Sequence, residues 1–110
     1  MFRLVKFILQ AILWVIILLF VIYCAICIMF PIKYGEQIIK YSDKYDLSPG
    51  LVCAVINTES RFKTDAQSHK GARGLMQLMP ENCRDLDVTD PFDIEQNIDG
   101  GTRHIKEYLD

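Results

Sequence analysis

A chain of 110 residues has room for one small domain, and its formal net charge of −2 excludes the strongly basic surface that attracts nucleic acid. Hydrophobic residues make up 51% of it, a high share for so short a chain, and they are concentrated near the N-terminus.

Phe7 to Phe30 reads FILQAILWVIILLFVIYCAICIMF, with Gln10 the one strongly polar side chain. At 1.5 Å per residue, about 20 such residues cross a hydrocarbon core of roughly 30 Å. A soluble core helix is seldom apolar on every face for so long. A signal peptide shares the charged start, here Arg3 and Lys6, but has a shorter apolar region and a small-residue cleavage site, which is not found before Pro31. The sequence therefore predicts an uncleaved membrane anchor over residues 1–30, ended by Pro31, and a separate domain over residues 31–110. Arg3 and Lys6 favour a cytoplasmic N-terminus, but Lys33, Lys40 and Lys44 follow the span closely, so charge alone leaves its direction open. Cys24 and Cys27 have redox-motif spacing, yet at membrane depth they read as small hydrophobes. Cys53 and Cys83 could pair in an oxidising compartment, with free thiols the expected state at this cysteine density.

After the span, GEQIIKYSDKYD predicts an amphipathic helix with Ile38, Ile39 and Tyr45 as core contacts. LSPGLVCAVINTES predicts a second helix, with Ser48 as N-cap and Pro49 at the first helical position. RFKTDAQSHKGARG reads as a loop. LMQLMPENCRDL predicts a short third helix that Pro80 disturbs or restarts. DVTDPFD reads as a turn-rich loop, and Asp93 as the N-cap of a last helix that is still running at Asp110. No segment shows sustained period-two alternation, so the domain is expected to be mainly helical.

One carboxylate interrupts this pattern. Val52, Val55, Ile56 and Glu59 fall at i, i+3, i+4 and i+7, which predicts that Glu59 shares the inward stripe of its helix near the C-terminal end. Burial and the partial negative charge of that helix end would both favour the protonated form, as a general acid requires. By spacing alone, a helix-end glutamate that reaches water is the commoner outcome.

The motifs around Glu59 add to that reading. Glu59-Ser60-x-Phe62 is followed by Ala66 and Ser68, then GARGLMQLMP from Gly71 to Pro80, then NIDGG from Asn97 to Gly101. This ordered set, from about Tyr34 to the chain end, resembles the catalytic domain of the soluble lytic transglycosylase family, which has a lysozyme-like fold. The resemblance implies a mainly α protein, an N-terminal transmembrane helix followed by a partial lysozyme-like helical domain. It implies Glu59 as catalytic acid and then base, Ser60 bonding near the scissile sugar, and Met76 and Gln77 lining a glycan groove. It also implies that Gly71 and Gly74 let their loop pass close to the helix carrying Glu59. Each residue has a plainer role available: Ser60 could bond its own backbone, and Met76 could simply fill the core.

Most glycosidases need two carboxyl groups. Asp65, Asp85, Asp87, Asp90 and Asp93 all lie in polar loops or turns without a pattern marking a partner for Glu59. DLDVTDPFDIEQ departs from a calcium loop at its sixth position, Asp90, and its twelfth, Gln96. The resembled family explains a single carboxylate: its enzymes cleave the muramic acid–glucosamine bond of peptidoglycan with the sugar's own 6-hydroxyl as nucleophile, forming a 1,6-anhydro ring. No metal or organic cofactor is implied, and His69 and His104 lack ligand-spaced neighbours. The expected partners are peptidoglycan strands and, through the N-terminal helix, the cytoplasmic membrane, with the catalytic part outside and no nucleic acid. A goose-type-lysozyme-like hydrolase and a catalytically inactive wall-binding remnant are the alternatives. The family's downstream A-Y-N-A-G-P-G motif has no match before Asp110, so the domain is expected to be incomplete.

Overall fold

The computed structural model describes residues 1–29 and 33–110; the expected end of the span at Pro31 falls outside the described residues. The chain divides into two compact units, Met1–Ile32 and Lys33–Asp110. The first contains one helix, α1 (Phe2–Met29), of 28 residues with none buried. It is about 42 Å long at 1.5 Å per residue, and among the described residues it alone is long and apolar enough to cross a membrane.

The second unit contains α2 (Gly35–Lys44), α3 (Pro49–Ser60), α4 (Pro80–Asp85) and α5 (Ile94–Leu109). No strand forms among the described residues; Gln67 with Arg73, and Arg73 with Leu78, make isolated antiparallel bridges. The domain is mainly helical, as expected from the missing period-two alternation.

Helix α2 starts with Glu36 in its first turn and ends with Lys44 in its last, both matched to the helix dipole. Its inward face is Ile38, Tyr41 and Ser42, with Tyr45 half-buried beyond them. Ile39, expected in the core, is instead 54% exposed. One residue advances the helix by about 100°, which turns Ile39 away from the face that Ile38 commits inward.

In α3, Ser48 occupies the N-cap with extended dihedrals and Pro49 follows at the start, but the Ser48 hydroxyl makes no capping bond. The Ser48 carbonyl instead accepts from the Leu51 and Val52 N–H groups at 3.1 and 3.3 Å. The Asp93 cap of α5 does use its side chain, accepting from the Gln96 N–H at 2.9 Å.

The expected third helix is half as long as its sequence suggested. Leu75–Met79 is turn and extended chain, and α4 begins at Pro80. Proline lacks an N–H and suits the first helical position, while it pushes its predecessor out of the α region; Met79 accordingly sits at φ −77, ψ 150. Upstream, Gly74 and Gln77 take left-handed φ values of 80 and 50, which no right-handed helix accommodates.

Two apolar clusters result. Ile38 and Tyr41 of α2, Val52 and Ile56 of α3, Leu75, Met76, and Ile98 of α5 form the main core. Leu78, Cys83, Leu86 and Val88 form a second one. Cys53, half-buried, and Cys83, buried, are free thiols, and burial pushes the Cys83 thiol above its ordinary value.

A repeated Lys–Tyr pair fastens α2 to α5. Lys40–Tyr41 and Lys44–Tyr45 recur four residues apart, opposite Glu95 and Asp99, also four apart, so each pair meets one carboxylate. Tyr41 and Tyr45 donate their hydroxyls to Glu95 and Asp99, while Lys40 and Lys44 approach the same carboxylates at 3.5 and 3.2 Å. The hydrogen bond to Glu95 raises the Tyr41 pKa, and burial followed by the Asp99 bond raises that of Tyr45. Each phenol therefore binds its proton more tightly in the folded chain. That contribution is complete below the unfolded value of about 10 and disappears as pH rises through the higher folded value. Chemical denaturation across pH 8–12 is expected to show an alkaline loss of stability that Tyr41→Phe/Tyr45→Phe flattens, at a cost of about 1 kcal/mol per lost hydrogen bond at neutral pH.

Candidate active site

Glu59 lies one residue before the end of α3, and its side chain is exposed. This overturns the expectation that it shares the inward stripe. The buried residues of α3 are Val52, Ile56 and Ser60, a series at i, i+4 and i+8 that drifts round the helix by about 40° per step. The drift carries Ser60 into the core and leaves Glu59, like the half-buried Val55, on its margin. The carboxyl group thus stands in water at the end of an apolar helix.

Ser60 is 6% exposed and donates its hydroxyl to the Ile56 carbonyl at 3.0 Å, the i→i−4 bond of a buried helical serine. Met76 is also 6% exposed and belongs to the main core. It packs on α5 at Gly101, where an added Cβ would lie 2.4 Å from the Met76 sulfur. Gln77 is half-buried, and its side-chain amide donates to the Ala66 and Gly74 carbonyls at 3.1 and 2.9 Å. Of the four residues expected to act on a glycan, only Glu59 is fully presented to solvent. Ser60 and Met76 are turned inward, and the Gln77 amide nitrogen braces its own loop.

That brace is one of several. The Gly74 N–H donates to the Ala66 carbonyl at 2.9 Å, and Arg73 and Leu78 exchange backbone bonds of 3.0 Å. Gly74 is where the loop passes closest to its surroundings, though not against α3 as expected. An added Cβ there would lie 2.1 Å from the Pro91 carbonyl oxygen and 2.3 Å from the Asn97 amide nitrogen, so the close approach is to the turn before α5 and its first coil. Gly71 has open space around it and uses only its positive φ of 93.

Asn97, the first residue of the NIDGG motif, ties the loop down. It is 1% exposed. Its side-chain oxygen accepts from the Met76 N–H at 2.7 Å, and its nitrogen donates to the Arg73 and Pro91 carbonyls at 3.0 and 2.6 Å. The signal was present: Ile94, Asn97, Ile98, Gly101 and Ile105 repeat at helical spacing, and an amide inside such a stripe must find buried partners. Asn97→Ala would leave the buried Met76 N–H and the half-buried Pro91 carbonyl without this partner, while the Arg73 carbonyl keeps its bond from the Leu78 N–H. At roughly 1–3 kcal/mol per stranded group, the domain is expected to lose about 2–4 kcal/mol in denaturant titration.

The site residues are thus an exposed carboxylate at the end of α3 and a glycine-bearing loop pinned to α5. Solved structures with a similar helical arrangement include lytic transglycosylases. The lytic transglycosylase Slt of Pseudomonas aeruginosa, solved as an inactive mutant, matches with a TM-score of 0.66 and 26% identity over 74% of this chain and 15% of its own. The 70 kDa soluble lytic transglycosylase of Escherichia coli matches with a TM-score of 0.63 and 25% identity, over 71% of this chain and 14% of its own.

The Transglycosylase SLT domain profile matches residues 36–110, and the chain belongs to that family. Relatives include a transglycosylase of Enterobacteria phage PRD1, 43% identical over 72% of this chain and 30% of its own length. Another is the membrane-bound lytic murein transglycosylase F of Desulfosudis oleivorans, 43% identical over 66% of this chain and 16% of its own. The chain thus spans less than a third of the length of these curated relatives.

Proposed function

We propose that this chain acts on peptidoglycan as a membrane-anchored lytic transglycosylase. It would cleave the β-1,4 bond between N-acetylmuramic acid and N-acetylglucosamine, with Glu59 as the single catalytic group. Protonated Glu59 gives its proton to the glycosidic oxygen as the bond from that oxygen to the muramic acid C1 breaks. The carboxylate so formed takes the proton of the muramic acid 6-hydroxyl, whose oxygen bonds to C1 and closes the 1,6-anhydro ring. The nucleophile belongs to the substrate, which gives it a high effective concentration and removes the need for a second carboxylate.

The observation that carries this reading is the ordered motif set, Glu59 to Phe62, Gly71 to Pro80 and Asn97 to Gly101, within a family match over residues 36–110. Peptidoglycan lies outside the cytoplasmic membrane, so the domain belongs on the extracytoplasmic side with the N-terminus of α1 inside. The exposure of Glu59 favours a second reading, a domain that binds the wall without cutting it. Digesting purified peptidoglycan and reading the ends by mass spectrometry separates the outcomes. Anhydro-muramic ends support the lytic reaction, reducing ends mean that water attacked instead, and uncut strands mean binding alone.

A further inference from the structure

Between α3 and the core residue Leu75, the chain carries Arg61, Lys63, Lys70 and Arg73 against the single acid Asp65, although the protein as a whole is acidic. Arg61, Lys63, His69 and Lys70 are exposed. The ion pairs among the described residues, Lys40–Glu95, Lys44–Asp99, Arg103–Glu107 and Lys106–Asp110, all lie on α2 and α5 or at the chain end, and none engages these loop cations.

The loop is built rather than loose. The Ser68 N–H donates to the Ala72 carbonyl at 2.9 Å and the Gly71 N–H to the Ser68 carbonyl at 3.1 Å. The Ala72 N–H donates to the Ser68 hydroxyl oxygen at 3.0 Å. These bonds close a tight turn with His69 and Lys70 at its tip. At the loop's other end, Arg61 and Phe62 are consecutive left-handed residues, with φ of 51 and 61. That conformation is unfavourable for any side chain with a Cβ, and glycine is the usual residue just past a helix end. Phe62 is held there by packing on the main core. Arg61 is exposed, so its strain is tolerated for a side chain that meets solvent two residues from Glu59.

Sugar hydroxyls give such cations little to pair with; carboxylates do. We propose that Arg61, Lys63 and Lys70 form a subsite for the carboxylates of the peptide stems on peptidoglycan, so that the chain engages stem-bearing strands in preference to stripped ones. The proposal rests on the wall polymer being the ligand, but it does not require that the strand be cut.

The test is capture of the full chain in detergent on phosphate-free wall material immobilised on beads, carrying Glu59→Gln throughout so that strands stay intact. Three ligands are compared: untreated sacculi, sacculi whose carboxyl groups have been converted to neutral amides, and amidase-stripped strands, whose only carboxylates are the lactyl groups. Untreated sacculi are expected to bind about tenfold more tightly than either treated form at low salt, with the difference fading as salt screens it. Lys63→Ala/Lys70→Ala should bring binding of untreated sacculi down to the amidated level, while Lys106→Ala, which removes a charge elsewhere, should not. Arg61→Gly should weaken binding while raising Tm, a divergence that a purely structural arginine would not produce. Equal binding to untreated and amidated sacculi overturns the proposal. So does undiminished binding to stripped strands, which assigns the subsite to the lactyl groups, or a Lys63→Ala/Lys70→Ala variant no weaker than Lys106→Ala. Preferential binding by a chain that is catalytically silent without Glu59→Gln would sustain the subsite and sink only the lytic reaction; absence of binding to all three forms sinks both.

Discussion

Glu59→Gln is expected to lower the release of anhydro-muropeptides by about 10³-fold or more, with helix content and thermal midpoint unchanged. Positioned proton transfer contributes about 10²–10⁴-fold in enzymes generally. Here one group is asked both to donate and to accept, so loss at the upper part of that range follows. Stability should hold because the Glu59 side chain is exposed and makes no hydrogen bond within the described residues; such surface changes usually stay within about 0.5 kcal/mol. Mass spectrometry of digested sacculi, beside a denaturant titration of both proteins, reads the two halves of the prediction separately. Cleavage at wild-type rate by the glutamine variant would remove Glu59 from the chemistry altogether.

Gly74→Ala is expected to destabilise the Lys33–Asp110 unit by about 2–5 kcal/mol. A left-handed conformation costs a non-glycine residue about 1–2 kcal/mol, and overpacking a filled site typically adds about 1–3. At Gly74 both apply, because its φ is 80 and the new methyl group would fall 2.1 Å from the Pro91 carbonyl oxygen. A unit of this size has a total stability of roughly 4–12 kcal/mol at 0.05–0.15 kcal/mol per residue, so the variant is a candidate for unfolding at 37 °C. Gly71→Ala is the natural control. Its φ of 93 is equally foreign to alanine, but nothing lies within 4 Å of the added carbon, so only the dihedral cost of about 1–2 kcal/mol is expected. Equal effects at the two positions in denaturant titration would mean that the Gly74 loop relaxes away from α5 without penalty. Gly74→Ala and Asn97→Ala should not add, because Asn97 is itself one of the groups that the new methyl would strike.

The helices were readable from sequence to within a few residues, because capping residues and apolar period act locally. Pro49 starts α3 and the Asp93 side chain caps α5, as their chemistry requires. The segment ahead of Pro80 departs from the helix its sequence predicts, for a physical reason. LMQLM has the composition of a helix, but two left-handed residues inside and just before it, Gly74 and Gln77, are held by contacts with Asn97 and Ala66. Those partners are distant in sequence, and no local propensity anticipates them. Ile39 and Glu59 failed for a related reason. On a short helix, two neighbouring stripes are both consistent with the spacing, and the elements that pack against it choose between them.

By itself, the sequence determined the apolar N-terminal helix, the mainly helical domain after it, the family, and the motif order that singles out Glu59. All of these depend on periodicity and residue type, which short-range sterics and hydrophobicity convert directly into local structure. Only the tertiary structure decided that Ser60 rather than Glu59 enters the core, that Met76 packs on Gly101, and that Asn97 pins the glycine loop to α5. Which face of a helix is buried, and which carbonyl a buried amide meets, depends on where separate segments come to rest against one another.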